Sequence, residues 1–187
     1  MRFYSMMPDE NIVADKIFKW IADVITVIVL GIFFVSFFCQ QTKVTGNSMS
    51  STLSGKDTVL IDSFNYKVFD PDRFDVISFH KTDKSGRETS YIKRIIALPG
   101  ETIQIKDDSI YVNDKKLKGF KIKDKIVNLG TASQKITLEY NEYFVMGDNV
   151  NSSEDSRSVT IGNVKRNEID GKVWFTIWPF NKIKTVK

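Results

Sequence analysis

Hydrophobic and polar positions are distributed differently on the two sides of residue 40. From Trp20 to Cys39 the chain reads WIADVITVIVLGIFFVSFFC, an apolar run with Asp23 as its one charge. Twenty residues rising 1.5 Å each cover about 30 Å, the thickness of a bilayer's hydrocarbon layer. A transmembrane helix over 20–39 is therefore predicted, with Trp20 as an interfacial anchor and Asp23 within reach of the interface. A cleaved signal peptide is the main rival, and a buried core helix is a third reading. Against the signal peptide, the run is long, nineteen residues precede it and no small-residue cleavage site follows.

Beyond residue 40 the apolar positions come in short runs. Thr58–Ile61, Asp75–His80, Thr89–Leu98, Thr102–Ile105, Ser109–Val112, Tyr143–Met146 and Val173–Ile177 are rich in β-branched and aromatic residues. Gly, Asp, Asn and Pro separate them, as between strands. Asp83-Lys84-Ser85-Gly86 predicts a turn joining the second and third runs in a hairpin. Asp107-Asp108 and Asn113-Asp114 punctuate another hairpin. The predicted order is a segment 1–19, a transmembrane helix 20–39 and a mainly β, antiparallel domain 40–187.

Composition narrows the chemistry. One Cys and one His in 187 residues allow no intrachain disulfide and make a zinc site improbable. Cys39 reads as lipid-facing or buried filler, because Ser36-Phe37-Phe38 before it lacks the small residues of a lipoprotein cleavage site. The net charge is +4. Residues 1–42 hold three basic and four acidic side chains, so the remainder carries the excess and is mildly attracted to an anionic bilayer. No Lys/Arg cluster is dense enough for nucleic acid. Lys16 and Lys19 precede the span and Lys43 stands alone after it. This bias puts the N-terminus in the cytoplasm, the span in the plasma membrane and residues 43–187 outside.

Catalytic candidates come from elimination. A serine hydroxyl needs a base to take its proton. The one histidine, His80, ends an apolar run at a turn and reads as an edge residue, so a Ser-His-Asp triad would hang on it alone. A lysine serves if burial keeps it neutral, since its ordinary pKa is about 10.4. Strand alternation puts Tyr91, Lys93, Ile95 and Ala97 on one face, with Arg94 on the other. Lys93 is thus expected among apolar neighbours.

Four segments then carry a resemblance: GNSMSSTL (46–53), RFDVISFH (73–80), YIKRIIALPGE (91–101) and GDNVNSSEDSR (147–157). In that order, behind one apolar span and before Gly171–Phe175 and Trp178-Pro179-Phe180, they resemble the boxes of bacterial type I signal peptidases, of the S26 peptidase type. The resemblance implies a coiled, mostly β catalytic domain and a serine–lysine mechanism. By it, Ser48 is the nucleophile, Lys93 the general base and Ser153 the residue that orients the lysine. Asp148, Asp155 and Arg157 support the site. It implies no metal and no organic cofactor. The implied substrate is an exported preprotein, cut after a segment with small side chains at the first and third positions, beside the lipid bilayer and the secretion machinery.

The chain departs from the family pattern in places. Ser51 stands for the usual Pro, Phe74 for the usual Gly, and Val150-Asn151-Ser152 for the commoner Arg-Asp-Asn. Gly46 replaces a serine that in some members donates to the oxyanion, so backbone N–H groups, such as that of Ser48, are expected to bind it. Self-cleaving repressors resemble the same domain but carry a DNA-binding helix-turn-helix where this chain has its apolar run. An inactive tethered relative and an unrelated anchored β domain are further alternatives. Trp174, Phe175, Trp178 and Phe180 read either as packing of a terminal strand or as a patch at the bilayer.

Overall fold

The computed structural model describes residues 10–122 and 124–186, apart from the side chains of residues 10, 11 and 34–39. Arg2, Asp9 and the Cys39 side chain lie outside the described residues. The chain divides into two units, 1–38 and 39–187.

The first unit holds helix α1, Glu10–Phe38. It begins well before Trp20, so half of the segment expected as a flank is helical. Its described apolar side chains are exposed, among them Ile17, Trp20, Val27 and Phe33. Among the described residues no helix is long and apolar enough to cross a membrane.

The second unit is mainly β, as the short runs predict. Its strands are β1 (Cys39–Lys43), β2 (Thr58–Asp62), β3 (Val76–Thr82), β4 (Glu88–Ala97), β5 (Thr102–Lys106), β6 (Ser109–Val112), β7 (Lys115–Lys116), β8 (Ile136–Thr137), β9 (Glu142–Met146), β10 (Val164–Lys165), β11 (Ile169–Trp178) and β12 (Lys184–Thr185). One antiparallel sheet runs β1-β2-β11-β3-β4-β9-β10, with β12 beside β11, and a smaller one runs β7-β6-β5-β8. The β3–β4 hairpin closes with Thr82 opposite Glu88 around the predicted turn. Asp107-Asp108 and Asn113-Asp114 both adopt positive φ, between 49° and 62°. That is the backbone of two-residue hairpin turns whose twist matches the strands.

Strand β4 is buried between two cores. Ile95 packs with Ile77, Phe79, Tyr143 and Val145. Ile96 packs with Ile103, Ile105, Phe144 and Met146. A register shift between Ile95 and Ala97 sends Ala97 to the Ile96 side, so it leaves the face that strict alternation gives it. A third core gathers Val44, Met49, Leu53, Val59, Ile61, Val76, Val173 and Val186. It lies beneath the loop that carries Ser48.

Candidate active site

The Ser48 loop is fixed from below by its neighbours. Met49 and Leu53 are 2% and 1% exposed and plug the third core, while Ser48 itself is half-buried. The N–H groups of Thr52 and Leu53 both donate to the Met49 carbonyl, at 2.8 and 2.7 Å. Gly46 enters the loop at φ +77° with open space where a Cβ would be. A serine there would have room but would need a left-handed backbone. The Asn149 N–H donates to the Ser48 carbonyl at 2.9 Å, tying the loop to the segment after β9.

Lys93 reaches this loop from β4. Its Nζ lies 2.7 Å from Ser48 Oγ, and the residue is 4% exposed. The nitrogen sits 5.8 Å from the centre of the Tyr91 ring, which stacks on Phe79. Burial pushes the Lys93 ammonium below its ordinary pKa, and the charges of Asp155 and then Glu154 pull it part of the way back. An amine so biased toward neutrality, within hydrogen-bond reach of a hydroxyl, can accept its proton. His80 is elsewhere employed. It lies in β3, between β11 and β4, and its Nδ1 is 2.7 Å from Asp170 Oδ1.

Arg94, on the opposite face, is bound on every side. Its Nε and Nη2 donate to the two oxygens of Asp148, each at 2.7 Å, and its Nη1 donates to the Phe74 carbonyl at 2.7 Å. Thr52 Oγ1 donates to Asp148 Oδ2, so the pair also grips the Ser48 loop. Phe74 stands at φ +72°. A bulky residue in that left-handed conformation costs about 1–2 kcal/mol, whereas glycine adopts it freely. Its ring lies 3.2 Å from where a Cβ on Gly119 would be.

Asp155 and Arg157 form a second buried pair, with Arg157 Nε at 2.8 Å and Nη2 at 2.9 Å from the carboxylate. Arg157 also donates to the carbonyls of Asn128 and Val150. Asp155 Oδ2 accepts the Gly147 N–H at 3.1 Å. Asn151, one of the departures, holds the neighbouring segment through the Lys125 carbonyl and the Val127 N–H. Ser153 Oγ is buried without a hydrogen-bond partner among the described residues, so the expected bond to Lys93 is not formed in this conformation.

Two residues with a part in the geometry escaped sequence reasoning. A Cβ on Gly147 would lie 2.3 Å from Ser153 Oγ and 2.5 Å from the Ser48 carbonyl oxygen, so only glycine fits. Glu154 lines the cleft with Ser48 and Lys93, but within its motif that position is variable and gives no signal. The cleft measures about 410 Å³, and its walls are Thr42–Gly46 on one side and Thr89–Lys93 on the other.

The signal peptidase family, peptidase S26, matches residues 17–178. The chain is 30% identical over 187 residues to signal peptidase I S of Bacillus subtilis strain 168, covering 95% of this chain and 98% of that protein. It is 29% identical over 177 residues to signal peptidase I of Bacillus licheniformis, covering 91% and 93%. A crystal structure of a signal peptidase I from Enterococcus faecalis V583 is 31% identical, covers 57% of this chain and 98% of that one, and superposes with a TM-score of 0.43. With more than four-fifths of its length matched, the chain belongs to the signal peptidase family, peptidase S26, and is a serine endopeptidase.

Proposed function

We propose that this chain removes N-terminal signal peptides from exported preproteins, with Ser48 as nucleophile and Lys93 as general base. The observation that carries this reading is the 2.7 Å approach of Lys93 Nζ to Ser48 Oγ in the cleft. Neutral Lys93 takes the hydroxyl proton as Ser48 Oγ attacks the scissile carbonyl carbon. Backbone N–H groups, that of Ser48 among them, receive the oxyanion. The tetrahedral species collapses as the Lys93 ammonium returns its proton to the departing amine. Water, deprotonated by Lys93, then hydrolyses the acyl-enzyme and frees Ser48.

The substrate lies extended between the backbone segments 42–46 and 89–93, whose shape suits an added strand with small side chains in shallow pockets. The Asp148–Arg94 pair grips Thr52 in the Ser48 loop, and the Asp155–Arg157 pair holds Gly147 beside Ser48 and Ser153. The partnerless Ser153 hydroxyl is kept for the lysine. The chain is anchored in the plasma membrane by residues 20–39, with residues 1–19 in the cytoplasm and 40–187 outside, working beside the secretion machinery. The exposed apolar side chains of α1, the apolar sequence continuing to residue 39 and the Lys16/Lys19 bias support this topology.

The test is cleavage of a purified preprotein, with the product's new N-terminus sequenced. Ser48→Ala and Lys93→Ala are each expected to lose at least about a thousandfold in rate while staying folded, and His80→Ala to keep its activity. Normal cleavage by Lys93→Ala would sink the mechanism. Protease added to intact spheroplasts is expected to digest the β domain, and protection until lysis would reverse the topology.

A further inference from the structure

The family match ends at residue 178, yet the residues after it are fastened to the loop that carries Ser48. Strand β12 pairs with β11, with Lys184 opposite Thr176 and Thr185 opposite Phe175. The Val186 N–H donates to the Trp174 carbonyl at 2.8 Å. This docking presents three side chains to the segment 49–57. Lys184 Nζ donates to the Thr52 carbonyl at 3.0 Å. Lys182 Nζ donates to Ser54 Oγ at 3.1 Å and stands 3.6 Å from Asp57 Oδ1. Val186 is 7% exposed and joins Met49 and Leu53 in the core below the nucleophile.

Asp57 shows why a cation is needed there. The residue is 2% exposed, and its Oδ2 accepts the Ser54 N–H at 2.8 Å. Among the described residues its Oδ1 is buried without a hydrogen bond, and Lys182 is the cation that offsets that oxygen's charge. Asp57 also accepts the Val44 N–H through its backbone carbonyl, at 2.9 Å. The exit of the Ser48 loop is thereby tied to Val44, in the wall of the cleft. On the other flank Thr52 bonds Asp148 through its hydroxyl. Its carbonyl goes to Lys184, so this one residue is gripped from both sides.

We propose that Lys182–Val186 is a positioning element, in which Lys182 and Lys184 hold the Ser48 loop from below so that Ser48 Oγ stays in line with Lys93. The proposal rests on Ser48 being the nucleophile. The Lys184 contact is exposed and its share of global stability is small, whereas Lys182 faces a buried carboxylate and its removal also costs stability. Their share of geometry is larger, because a misplacement of about 1 Å in a reacting atom costs about a hundredfold in rate.

The experiment uses the full chain in detergent with a preprotein substrate, and compares Lys184→Met, Lys182→Met/Lys184→Met and Lys184→Arg. Amide hydrogen exchange is read alongside kcat and KM. The double variant is expected to lower kcat about tenfold with KM within about twofold, on the scale of a sub-ångström displacement. The amides of Thr52 and Leu53 are expected to exchange at least about tenfold faster while those of Ile77 and Ile95 do not change, as a local opening requires. Lys184→Arg, which keeps a donor for the Thr52 carbonyl, is expected to recover most of what Lys184→Met loses. Unchanged kcat overturns the proposal, whether or not exchange rises. A kcat loss with faster exchange throughout the sheet also overturns it, since the segment would then be only a stabilising strut. Ser48→Ala is assayed in parallel. If it remains active, the nucleophile reading fails, and the exchange data still report whether the segment holds the loop.

Discussion

Lys93 and Arg94 are neighbours on β4, equally removed from solvent at 4% and 7% exposure, and the fold treats them in opposite ways. Arg94 meets a carboxylate in bidentate geometry and a carbonyl beyond it. Lys93 meets a hydroxyl and the ring of a tyrosine. A guanidinium cannot shed its proton, so a buried one needs compensation at every donor. A lysine can, and burial without a bonded carboxylate moves it toward the neutral amine. One strand, through alternation alone, thus sets a permanently charged clamp back to back with the proposed base. The motif pairs these two residue types because each suits the face it occupies.

The Arg94 face gives the largest expected effect. Asp148→Ala would remove the carboxylate that binds two donors of a guanidinium buried against Phe74 and Thr52. Breaking one side of such a pair costs about 3–5 kcal/mol, or roughly 10 °C in the melting temperature of a domain this size. Replacing both partners, Arg94→Met with Asp148→Leu, is expected to recover most of that loss, because no lone charge remains. Calorimetry of the three proteins decides the matter. If Asp148→Ala melts within about 1–2 °C of wild type, the pair is not the clamp its geometry describes.

The Lys93 face depends on close approach more than on bonding, and Gly147 probes that. An added methyl group would press on the Ser48 carbonyl, which is backbone, and on Ser153 Oγ. Something must move, and Ser48 is the proposed nucleophile. Gly147→Ala is expected to lose about a hundredfold in kcat with little change in KM, the signature of a displaced reacting group. Its melting temperature should fall less than that of Asp148→Ala. Retention of activity within about threefold would mean that this face tolerates displacement and is less constrained than the packing requires.

How much of this was legible in the sequence follows the same division. The β3–β4 hairpin, the Asp107-Asp108 turn and the burial of Lys93 followed from period and turn chemistry, because those signals are local. Phe74 in place of glycine was visible as a departure, and its positive φ explains what the departure means. Strand β1 was missed because Cys39–Lys43 follows an apolar run and is mostly polar. The bulge that redirects Ala97 is set by its partner β9, which no pattern within β4 encodes. Lys182 and Lys184 carried no signal in the sequence, since their partners lie about 130 residues earlier in the chain. Contacts across such separations leave no mark on local composition.

The smallest effect tests the tuning of Lys93 itself. Two carboxylates favour its ammonium, Asp155 more than Glu154, against the burial that disfavours it. Asp155 cannot be removed cleanly, because it also binds Arg157 and the Gly147 N–H. Glu154 is exposed, so Glu154→Gln removes its charge and little else. Without that charge the ammonium is less favoured, its pKa falls further, and neutral Lys93 persists to lower pH. The acid limb of kcat/KM, which reports the free enzyme's base, should therefore move to lower pH, and the variant should outpace wild type below the limb. The interaction crosses partly solvated space, so added salt should weaken it. Raising the ionic strength from about 0.02 M to about 0.5 M should draw the wild-type limb toward that of the variant and move the variant's limb less. A limb that stays in place, or moves to higher pH, would show that the titrating group is not the amine beside Glu154, and Lys93 would lose its role as the base.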